Sequence, residues 1–320
     1  MGGGVTDRAR IAVWAAAAPF LPATLRTLDE AGVPYAVLPA SPVDIEAVAA
    51  EALIVGGAPV SAGLLAAFPK LRLLVRGGVG VDKIDLAAAD RQGILVTNVA
   101  DYGTNEVADH AMLLLLATVR RLGHFTAQTG GDWRSVEQVP VPRLQGRRLG
   151  IVGLGRIGTA VAGRARAFGL DVVAYDPLAP HRFERTGVGA VELDELLATS
   201  DVISLHAPLT PASRHLLDRA AFARMRRRPV IVNTARGGLI DTTALVEALD
   251  AGLVAGAGLD VVEGEPDAAA LRPLLGRDDV LVTPHVAWYS QGSEEQLGRT
   301  AARVALDFVQ RGIRPRPIDR

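Results

Sequence analysis

The chain has 320 residues and a formal net charge of −1, with 49% hydrophobic and 22% charged residues. This is the balance of a globular protein long enough for two domains, and the near-neutral total gives no indication of binding to nucleic acid or an anionic membrane. The sequence contains no cysteine, which excludes disulfides, thiolate nucleophiles and cysteine-based metal sites, and we predict no metal site of any kind.

The first hundred residues alternate short apolar runs with helical patterns that are rich in Ala and Leu, one of which ends at Gly32. Continuous apolar strands separated by helices are typical of a parallel sheet that is covered on both faces. We therefore predict a small α/β layer structure. Its strands are expected at 10–14, 34–39, 53–56, 71–76 and 94–98.

The middle of the chain begins with a long helix, predicted from about Thr104 to Arg121, whose first turn Thr104 or Asn105 can cap. A segment rich in Pro and Gly follows and is expected to be irregular. A second parallel sheet is then predicted, with about six strands at 148–155, 171–177, 201–208, 229–237, 255–263 and 279–286. The last helix, at about 291–311, has nothing left to pair with in this sheet, so we assign it to the first domain.

The sequence GLGRIG joins the first strand of the second sheet to a helix. Gly153 permits a tight turn, Gly155 leaves room for a pyrophosphate at the helix N-terminus, and Gly158 lets the helix approach the sheet. Asp176 ends the next strand, where its carboxylate can accept hydrogen bonds from ribose hydroxyls and would repel a 2′-phosphate. We therefore predict NAD as the cofactor, with NADP as the less favoured alternative because Arg182 lies nearby in sequence.

Three polar residues follow later strands of the second sheet, at the edge where an open α/β sheet binds its ligand. Arg236 can bind a carboxylate and polarise an adjacent carbonyl, and His285 can deliver or accept a hydroxyl proton. A carboxylate such as Glu265 can hold the histidine ring in place. These are the groups needed to interconvert a 2-oxo acid and a 2-hydroxy acid by hydride transfer, although any one of them alone is more typical of a structural residue.

Several longer motifs carry a family resemblance: "NTARGGLIDTTALVEAL", "AGAGLDVVEGEP" and "VTPHVAWYS", with "RGGVGVDKIDL" and "NVADYGTNEVADHAMLLLL" upstream. This chain resembles the D-isomer-specific 2-hydroxyacid dehydrogenases over nearly its whole length. The resemblance implies two Rossmann-like domains: a flavodoxin-like substrate domain at 1–100 plus 290–320, and an inserted NAD-binding, doubly wound parallel sheet at 101–289. It also implies a homodimer, with a dimerisation arm near 120–146.

The same resemblance assigns roles to individual residues. Arg236 matches the substrate-binding arginine, His285 the acid/base and Glu265 its partner. Asp260 matches the aspartate near the nicotinamide carboxamide. The loop whose backbone N–H groups hold the substrate carboxylate matches Gly77, Gly78 and Val79. The full set of implied cofactor contacts is Thr104, Gly153, Gly155, Arg156, Ile157, Gly158, Asp176, His206, Thr234, Ala235 and Asp260.

Two further residues, Arg76 and Trp288, resemble the branch of the family that includes the C-terminal-binding proteins. The resemblance implies that Arg76 is a second carboxylate contact and that Trp288 borders the substrate side-chain pocket. An indole wall disfavours a phosphorylated substrate. The alternatives are a salt bridge for Arg76 and a core or dimer-interface position for Trp288.

We thus expect an NAD-dependent D-2-hydroxyacid dehydrogenase that acts mostly as a 2-oxo acid reductase. Its partners would be a small 2-oxo or 2-hydroxy acid and a second copy of the chain, without nucleic acid or membrane. One alternative is an NAD(H)-responsive, corepressor-like binding protein; another is the same chemistry on phosphoglycerate, glyoxylate, hydroxypyruvate, formate or phosphite. The N-terminus lacks a signal-peptide pattern, so a cytoplasmic location is expected, and we expect no serine-feedback module after residue 320.

Overall fold

The computed structural model describes residues 10–14, 16, 18–41, 48–127, 140–178 and 181–318. The chain divides into two compact units: unit 1 contains Met1–Gly103 and Ser290–Arg320, and unit 2 contains Thr104–Tyr289. The roles predicted for these parts of the chain, substrate binding and NAD binding, stay predictions. Within the described ranges, every helix is too short or too polar to cross a membrane.

Unit 1 is built on a five-stranded parallel sheet in which all five predicted strands form. Residues of the first strand point alternately to opposite faces, and both faces are covered, so the whole strand is buried and reads as an apolar run. The strand order β2-β1-β3-β4-β5 is the flavodoxin-like order, as predicted. The strands are β1 (Ile11–Trp14), β2 (Tyr35–Leu38), β3 (Ala52–Val55), β4 (Leu73–Arg76) and β5 (Leu95–Asn98).

Between these strands, the described residues form three helices: α1 (Leu21–Ala31), α2 (Ala62–Ala66) and α3 (Leu86–Arg91). Helix α1 ends at Gly32, which has a φ of +65° and so takes the left-handed conformation that glycine adopts without strain. Asp85 caps α3 by accepting a hydrogen bond from the N–H of Ala88.

Unit 2 is built on a seven-stranded parallel sheet with the order β12-β11-β10-β9-β6-β7-β8. The strand order reverses between β6 and β9, which makes the sheet doubly wound, as predicted, and places a ligand-binding crevice at the carboxyl ends of these two strands. The strands are β6 (Arg148–Val152), β7 (Asp171–Tyr175), β8 (Gly189–Ala190), β9 (Val202–Leu205), β10 (Val230–Asn233), β11 (Gly256–Leu259) and β12 (Val280–Val282).

The prediction of about six strands in this sheet missed β8. This strand has only two residues, both exposed, which pair with Val173 and Ala174 at the edge of the sheet. So short and exposed a strand needs no apolar run, and the sequence therefore carries no signal for it.

Eight helices accompany this sheet among the described residues. They are α4 (Thr104–Val119), α5 (Leu122–Ala127), α6 (Arg156–Ala167), α7 (His181–Thr186), α8 (Leu193–Thr199), α9 (Arg219–Arg224), α10 (Thr242–Asp250) and α11 (Ala268–Leu271). Helix α4 packs on β11, where Gly258 leaves room for Leu114: a Cβ at Gly258 would lie 2.9 Å from the Leu114 Cβ.

The segment expected to be irregular after the long helix begins instead with α5. Residues 128–139, which form the centre of the predicted dimerisation arm, lie outside the described residues. The last helix, α12 (Gln291–Arg311), packs on α1 of unit 1. Ser290 and Ser293 form a reciprocal capping box at its N-terminus, and Gly312 ends it with a φ of +68°.

Candidate active site

In the turn between β6 and α6, two positions must be glycine because a side chain there would clash with other atoms of the protein. Gly153 has a φ of +91°, and a Cβ there would lie 2.8 Å from backbone atoms of His206 and Ala207. A Cβ at Gly158 would lie 2.1 Å from the carbonyl oxygen of Gly153. These close approaches bring the first turn of α6 and the loop after β9 against the glycine turn.

Gly155 differs from both of these glycines. The nearest atom to a Cβ at this position would be Nη1 of Arg182 at 3.7 Å, an ordinary contact, so the protein itself does not require glycine here. Helix α6 begins directly afterwards with Arg156 and Ile157, and no side chain of the described residues caps it. Its first-turn N–H groups and its dipole favour an anion, and Gly155 leaves space for one. This arrangement fits the pyrophosphate of a dinucleotide.

Asp176 follows β7 and links the glycine turn to the next loop. Its side chain is only 8% exposed, and its carboxylate accepts hydrogen bonds from the N–H of Leu154 at 2.8 Å and of Leu178 at 3.0 Å. Arg182 lies 3.6 Å from the same carboxylate. Asp176 therefore sits beside the turn, where the sequence places a ribose, and the nearby guanidinium is consistent with NADP as the alternative cofactor.

Two other predicted cofactor contacts carry buried polar atoms without partners. His206 follows β9; its Nε2 is 2.8 Å from Ser204 Oγ, and burial lowers the pKa of His206 to about 4, so the ring is neutral near pH 7. Within the described residues, only four buried side-chain polar atoms lack a hydrogen-bond partner, and Nδ1 of His206 and Oγ1 of Thr234 are two of them. Since buried polar groups are normally satisfied, these two atoms also fit a polar ligand at this edge of the sheet.

The loop that carries Arg236 follows β10 and is held by the fully buried side chain of Asn233. The Asn233 amide donates to the carbonyl of Arg236 at 2.9 Å, and its oxygen accepts from the N–H of Ala235 at 3.0 Å. A Cβ at Gly237 would lie 2.1 Å from the backbone carbon of Val262. The half-buried Arg236 is thereby brought next to the segment that follows β11.

That segment contains Glu265, whose carboxylate binds the predicted acid/base histidine. One oxygen of Glu265 accepts from the N–H of Val262 at 2.9 Å, and the other lies 2.5 Å from Nδ1 of His285. The His285 side chain is 46% exposed and that of Glu265 27%. Since Glu265 binds Nδ1, the second ring nitrogen, Nε2, is the one that can exchange a proton with a substrate.

Asp260 directly follows β11 and anchors the turn that carries His285. Its backbone carbonyl accepts from the N–H of His285, and its two carboxylate oxygens accept from the N–H groups of Val286 and Ala287, each at 2.9 Å. The Asp260 side chain is only 1% exposed. Its predicted place near the nicotinamide carboxamide stays a prediction; its structural contribution is to fix three consecutive residues of this turn.

Trp288 lies directly after this turn. Its indole N–H donates to the carbonyl of His285 at 3.1 Å, and its ring meets that of Tyr289 edge to face at 5.6 Å between centroids. The half-buried indole is therefore fixed relative to the backbone of the histidine, as a wall of a substrate pocket would need to be.

The predicted carboxylate loop follows β4 in unit 1. Gly77 must be glycine, because a Cβ there would lie 2.1 Å from the ring of Phe20, and its N–H already donates to the carbonyl of Val55 at 2.8 Å. This hydrogen bond occupies the Gly77 N–H, so the predicted contact with a carboxylate depends on the N–H groups of Gly78 and Val79.

Arg76 ends β4 and folds over the same loop. Its Nε donates to the carbonyl of Gly80 at 3.2 Å, and its Nη1 donates to the carbonyl of Gly77. Gly78 has a φ of +139°, which residues with a side chain rarely adopt, and a Cβ there would also lie 3.0 to 3.3 Å from the guanidinium. Arg76 thus braces the loop in this structure, and its predicted contact with the substrate carboxylate stays a prediction.

Within unit 2 the structure places the predicted residues in two groups along one edge of the sheet. The glycine turn, Asp176 and His206 surround the reversal point, and the loop that carries Arg236 packs against the segment that carries Glu265, the partner of His285. Thr104 begins α4, which an ion pair of 2.6 Å between Asp109 and Arg164 ties to α6. Among the described residues, no group of three or more His, Asp or Glu side chains is placed to hold a metal ion.

Sequence reasoning missed the residues that support this site. Asn233 and Gly237 hold the arginine loop. A separate histidine–carboxylate pair, to which we assign no part in the reaction, joins His215 to Glu263 at 2.8 Å; Glu263 lies two residues before Glu265. A polar residue at the end of an otherwise apolar run, as in "VIVN", is the one signal that could have indicated Asn233.

Comparison with known proteins gives one family. Residues 112–287 match the model described as "D-isomer specific 2-hydroxyacid dehydrogenase, NAD binding domain". The D-3-phosphoglycerate dehydrogenase of Mycobacterium leprae is 40% identical over 267 residues, covering 81% of this chain but only 50% of that protein. This chain thus spans about half the length of these curated relatives.

Two other similar proteins match over most of their own length. The glyoxylate reductase of Korarchaeum cryptofilum is 40% identical over 263 residues, covering 80% of this chain and 79% of that protein. The structure of D-lactate dehydrogenase from Aquifex aeolicus, complexed with NAD and lactic acid, superimposes with a TM-score of 0.82 at 29% identity, covering 94% of this chain and 95% of that one.

Proposed function

Because this chain belongs to the D-isomer-specific 2-hydroxyacid dehydrogenase family, we propose that it is an NAD(H)-dependent oxidoreductase that interconverts a 2-oxo acid and the D-2-hydroxy acid. The observation that carries this proposal is the hydrogen bond of 2.5 Å between Glu265 and Nδ1 of His285, beside the loop of Arg236. The similar proteins are named as dehydrogenases and reductases, which favours an enzyme over a corepressor-like binding protein.

In the proposed reaction, Arg236, Glu265 and His285 each have a separate role. Bound NADH supplies the hydride that C2 of the substrate accepts. Arg236 binds the substrate carboxylate and polarises the adjacent carbonyl, and Glu265 keeps the ring of His285 oriented through Nδ1. The Nε2–H of His285 then donates its proton to the carbonyl oxygen, which becomes the hydroxyl; in the reverse direction, the neutral ring takes that proton back.

The cofactor we propose is NAD(H), held at the reversal point of the sheet. Gly155 leaves the N-terminus of α6 open to the pyrophosphate, and Asp176 accepts from the ribose. A relative with bound NAD superimposes on this chain, which supports the same choice. Arg182, 3.6 Å from Asp176, keeps NADP as the alternative.

The substrate we propose is a small, unphosphorylated 2-oxo acid. Trp288 lies next to His285, and an indole there would offer a phosphate no compensating charge or hydrogen bond. Arg76, Gly78 and Val79 are proposed to provide further contacts with the carboxylate. We also propose that the active form is a homodimer, as the family resemblance implies, and that it is located in the cytoplasm.

A spectrophotometric screen of NADH and NADPH oxidation tests this proposal, using glyoxylate, pyruvate, hydroxypyruvate, 2-oxoisocaproate and phosphohydroxypyruvate. We expect NADH oxidation with at least one unphosphorylated acid and a D-configured product. Lack of oxidation with every acid, in a protein that binds NADH, would contradict the proposal. Faster turnover of phosphohydroxypyruvate than of the other acids would contradict the substrate class alone.

A further inference from the structure

A partly buried hydrogen-bond network connects the turn that carries His285 to helix α4. Nε2 of His110, on α4, is 2.9 Å from the hydroxyl of Thr283, and that hydroxyl is 2.6 Å from a carboxylate oxygen of Asp260. The His110 side chain is largely buried, with 16% exposed. Neither His110 nor Thr283 belongs to the residues to which the family resemblance gave a role.

The direction of each hydrogen bond in this network follows from the groups present. The Asp260 carboxylate can only accept, so the single hydroxyl proton of Thr283 is donated to it. The Thr283 oxygen then accepts from His110, which must carry its proton on Nε2. The same Asp260 oxygen accepts the N–H of Val286, and it is coupled to His110 through the Thr283 hydroxyl; Nε2 of His110 itself lies 3.6 Å from this oxygen.

The turn held by this network contains a residue with an unfavourable backbone conformation. His285 has a φ of +55°, in the left-handed region that residues with a side chain seldom occupy. Such a conformation persists only where surrounding contacts determine it. Here Asp260 provides three of these contacts, because its carbonyl accepts the N–H of His285 and its carboxylate accepts those of residues 286 and 287. The N–H of His285 also donates to the carbonyl of Thr283 at 3.0 Å, and the Thr283 hydroxyl and His110 hold the Asp260 carboxylate in place.

We propose that His110 and Thr283 are positioning residues for the acid/base His285. His110 donates to Thr283, Thr283 donates to Asp260, and the oriented carboxylate fixes the N–H groups of residues 286 and 287. The imidazole thereby stays in hydrogen-bond reach of Glu265 and of the substrate oxygen. The catalytic part of this inference rests on the proposed function, whereas the part that concerns the turn does not.

The test compares two substitutions that each remove a threonine hydroxyl from the 320-residue chain. Thr283→Val breaks the network, whereas Thr118→Val removes a buried hydroxyl on α4 that has no hydrogen-bond partner. For each variant, kcat and KM are measured with a 2-oxo acid that the wild type reduces, and NADH affinity is measured by fluorescence. Amide hydrogen exchange of residues 285–287 is followed by mass spectrometry.

We expect Thr283→Val to lower kcat by about tenfold or more, with KM and NADH affinity within about threefold of wild type. Exchange at residues 285–287 should accelerate by about tenfold or more. Thr283→Ser should restore most of both properties, because it restores the hydroxyl. Thr118→Val should leave both at the wild-type level.

A second pair of variants, His110→Gln and His110→Leu, provides an independent test in case a Thr283 variant does not fold. Gln keeps an N–H donor and should retain more activity and slower exchange than Leu. The inference is overturned if Thr283→Val matches Thr118→Val in exchange and kcat, or if Ser and Val at position 283 are equally impaired. If the wild type binds NADH but reduces none of the acids, the proposed function fails, and the exchange data still decide whether this network holds the turn.

Discussion

At the scale of single residues, the site depends on hydrogen bonds that place a strained histidine opposite a carboxylate. Nδ1 of His285 is bound by Glu265, and the backbone of the same residue is bound by Asp260. Both the side chain and the backbone of His285 are therefore held in place. A second pair, His215 with Glu263, provides an internal comparison, since Glu263 lies two residues before Glu265 in sequence.

The first prediction uses these two carboxylates. Glu265→Gln should lower kcat by about 10- to 100-fold, since the neutral amide no longer stabilises the charged imidazole that forms during proton exchange. Glu263→Gln, which alters the pair with His215, should change kcat by less than about threefold. Steady-state kinetics with NADH and the preferred 2-oxo acid check both values. Equal losses in the two variants would show that Glu265 has no special role.

The second prediction concerns the pH dependence of stability. The pKa of His206 is lowered by burial to about 4, from an ordinary value of 6.5. Above pH 6.5 the ring is neutral in both states; as the pH falls from 6.5 towards 4, the unfolded chain takes the proton first and stability is lost. This one group should cost about 2 kcal/mol between pH 7 and pH 5.

Urea unfolding of the wild type and of His206→Asn at pH 7 and pH 5 checks this value. The wild type should lose about 2 kcal/mol more than the variant over this range, because the variant lacks the titrating ring. The same loss in both proteins would mean that His206 titrates alike in the folded and unfolded states.

At the scale of elements, the glycines at the start of α6 serve two different purposes: Gly158 is needed for packing, and Gly155 leaves space for the cofactor. Gly158→Ala should destabilise unit 2 by about 1 to 3 kcal/mol, since its Cβ would meet the Gly153 carbonyl at 2.1 Å. Gly155→Ala should keep the stability but weaken NADH binding by about tenfold or more, because its Cβ takes space needed by the pyrophosphate.

The matched control for these variants is Gly163→Ala, on the same helix. A Cβ at Gly163 would meet nothing within 4 Å, so this change should be neutral or stabilise the helix by about 0.5 to 1 kcal/mol. Urea unfolding and NADH titration of the three variants provide the measurements. Unchanged NADH affinity in Gly155→Ala would place the pyrophosphate elsewhere.

The strands and loops also show which features of the structure could be predicted from the sequence. Buried parallel strands need continuous apolar runs, so the runs predicted β1 to β5 and six strands of the second sheet, but not the exposed pair of residues in β8. The catalytic candidates Arg236, Glu265 and His285 could be predicted, since each follows a strand and has distinctive chemistry. The supporting hydrogen bonds of Asn233 and Asp260 could not, because they depend on contacts between distant loops.

At the scale of the whole molecule, unit 1 is assembled from two separate parts of the chain. Helix α12 packs on α1 so closely that a Cβ at Gly298 would lie 2.6 Å from the carbonyl of Phe20 and 2.7 Å from Ala23 Cβ. The hydroxyl of Thr24 also reaches the carbonyl of Gly298, at 3.3 Å. The fold of unit 1 therefore depends on residues that come after the whole of unit 2 in the sequence.

A substitution at this contact should affect one unit and spare the other. Gly298→Ala should destabilise unit 1 by about 1 to 3 kcal/mol, whereas Gly292→Ala, whose Cβ would meet only Ser290 Oγ at 3.7 Å, should not. Hydrogen exchange should quicken in β1 to β5 of Gly298→Ala, while NADH affinity stays near the wild-type value. Faster exchange throughout unit 2 would show that the two units unfold together.

The return of α12 has a consequence for biosynthesis. As the polypeptide leaves the ribosome, β1 to β5 emerge first but lack the helix that covers α1, whereas Thr104–Tyr289 can complete a sheet as soon as they have been translated. At ~5–20 residues per second, translation of that inserted stretch takes roughly 10 to 40 s. For this interval the nascent N-terminal layer has an uncovered apolar face, so the part made first is the part that matures last and has the greatest need of a chaperone.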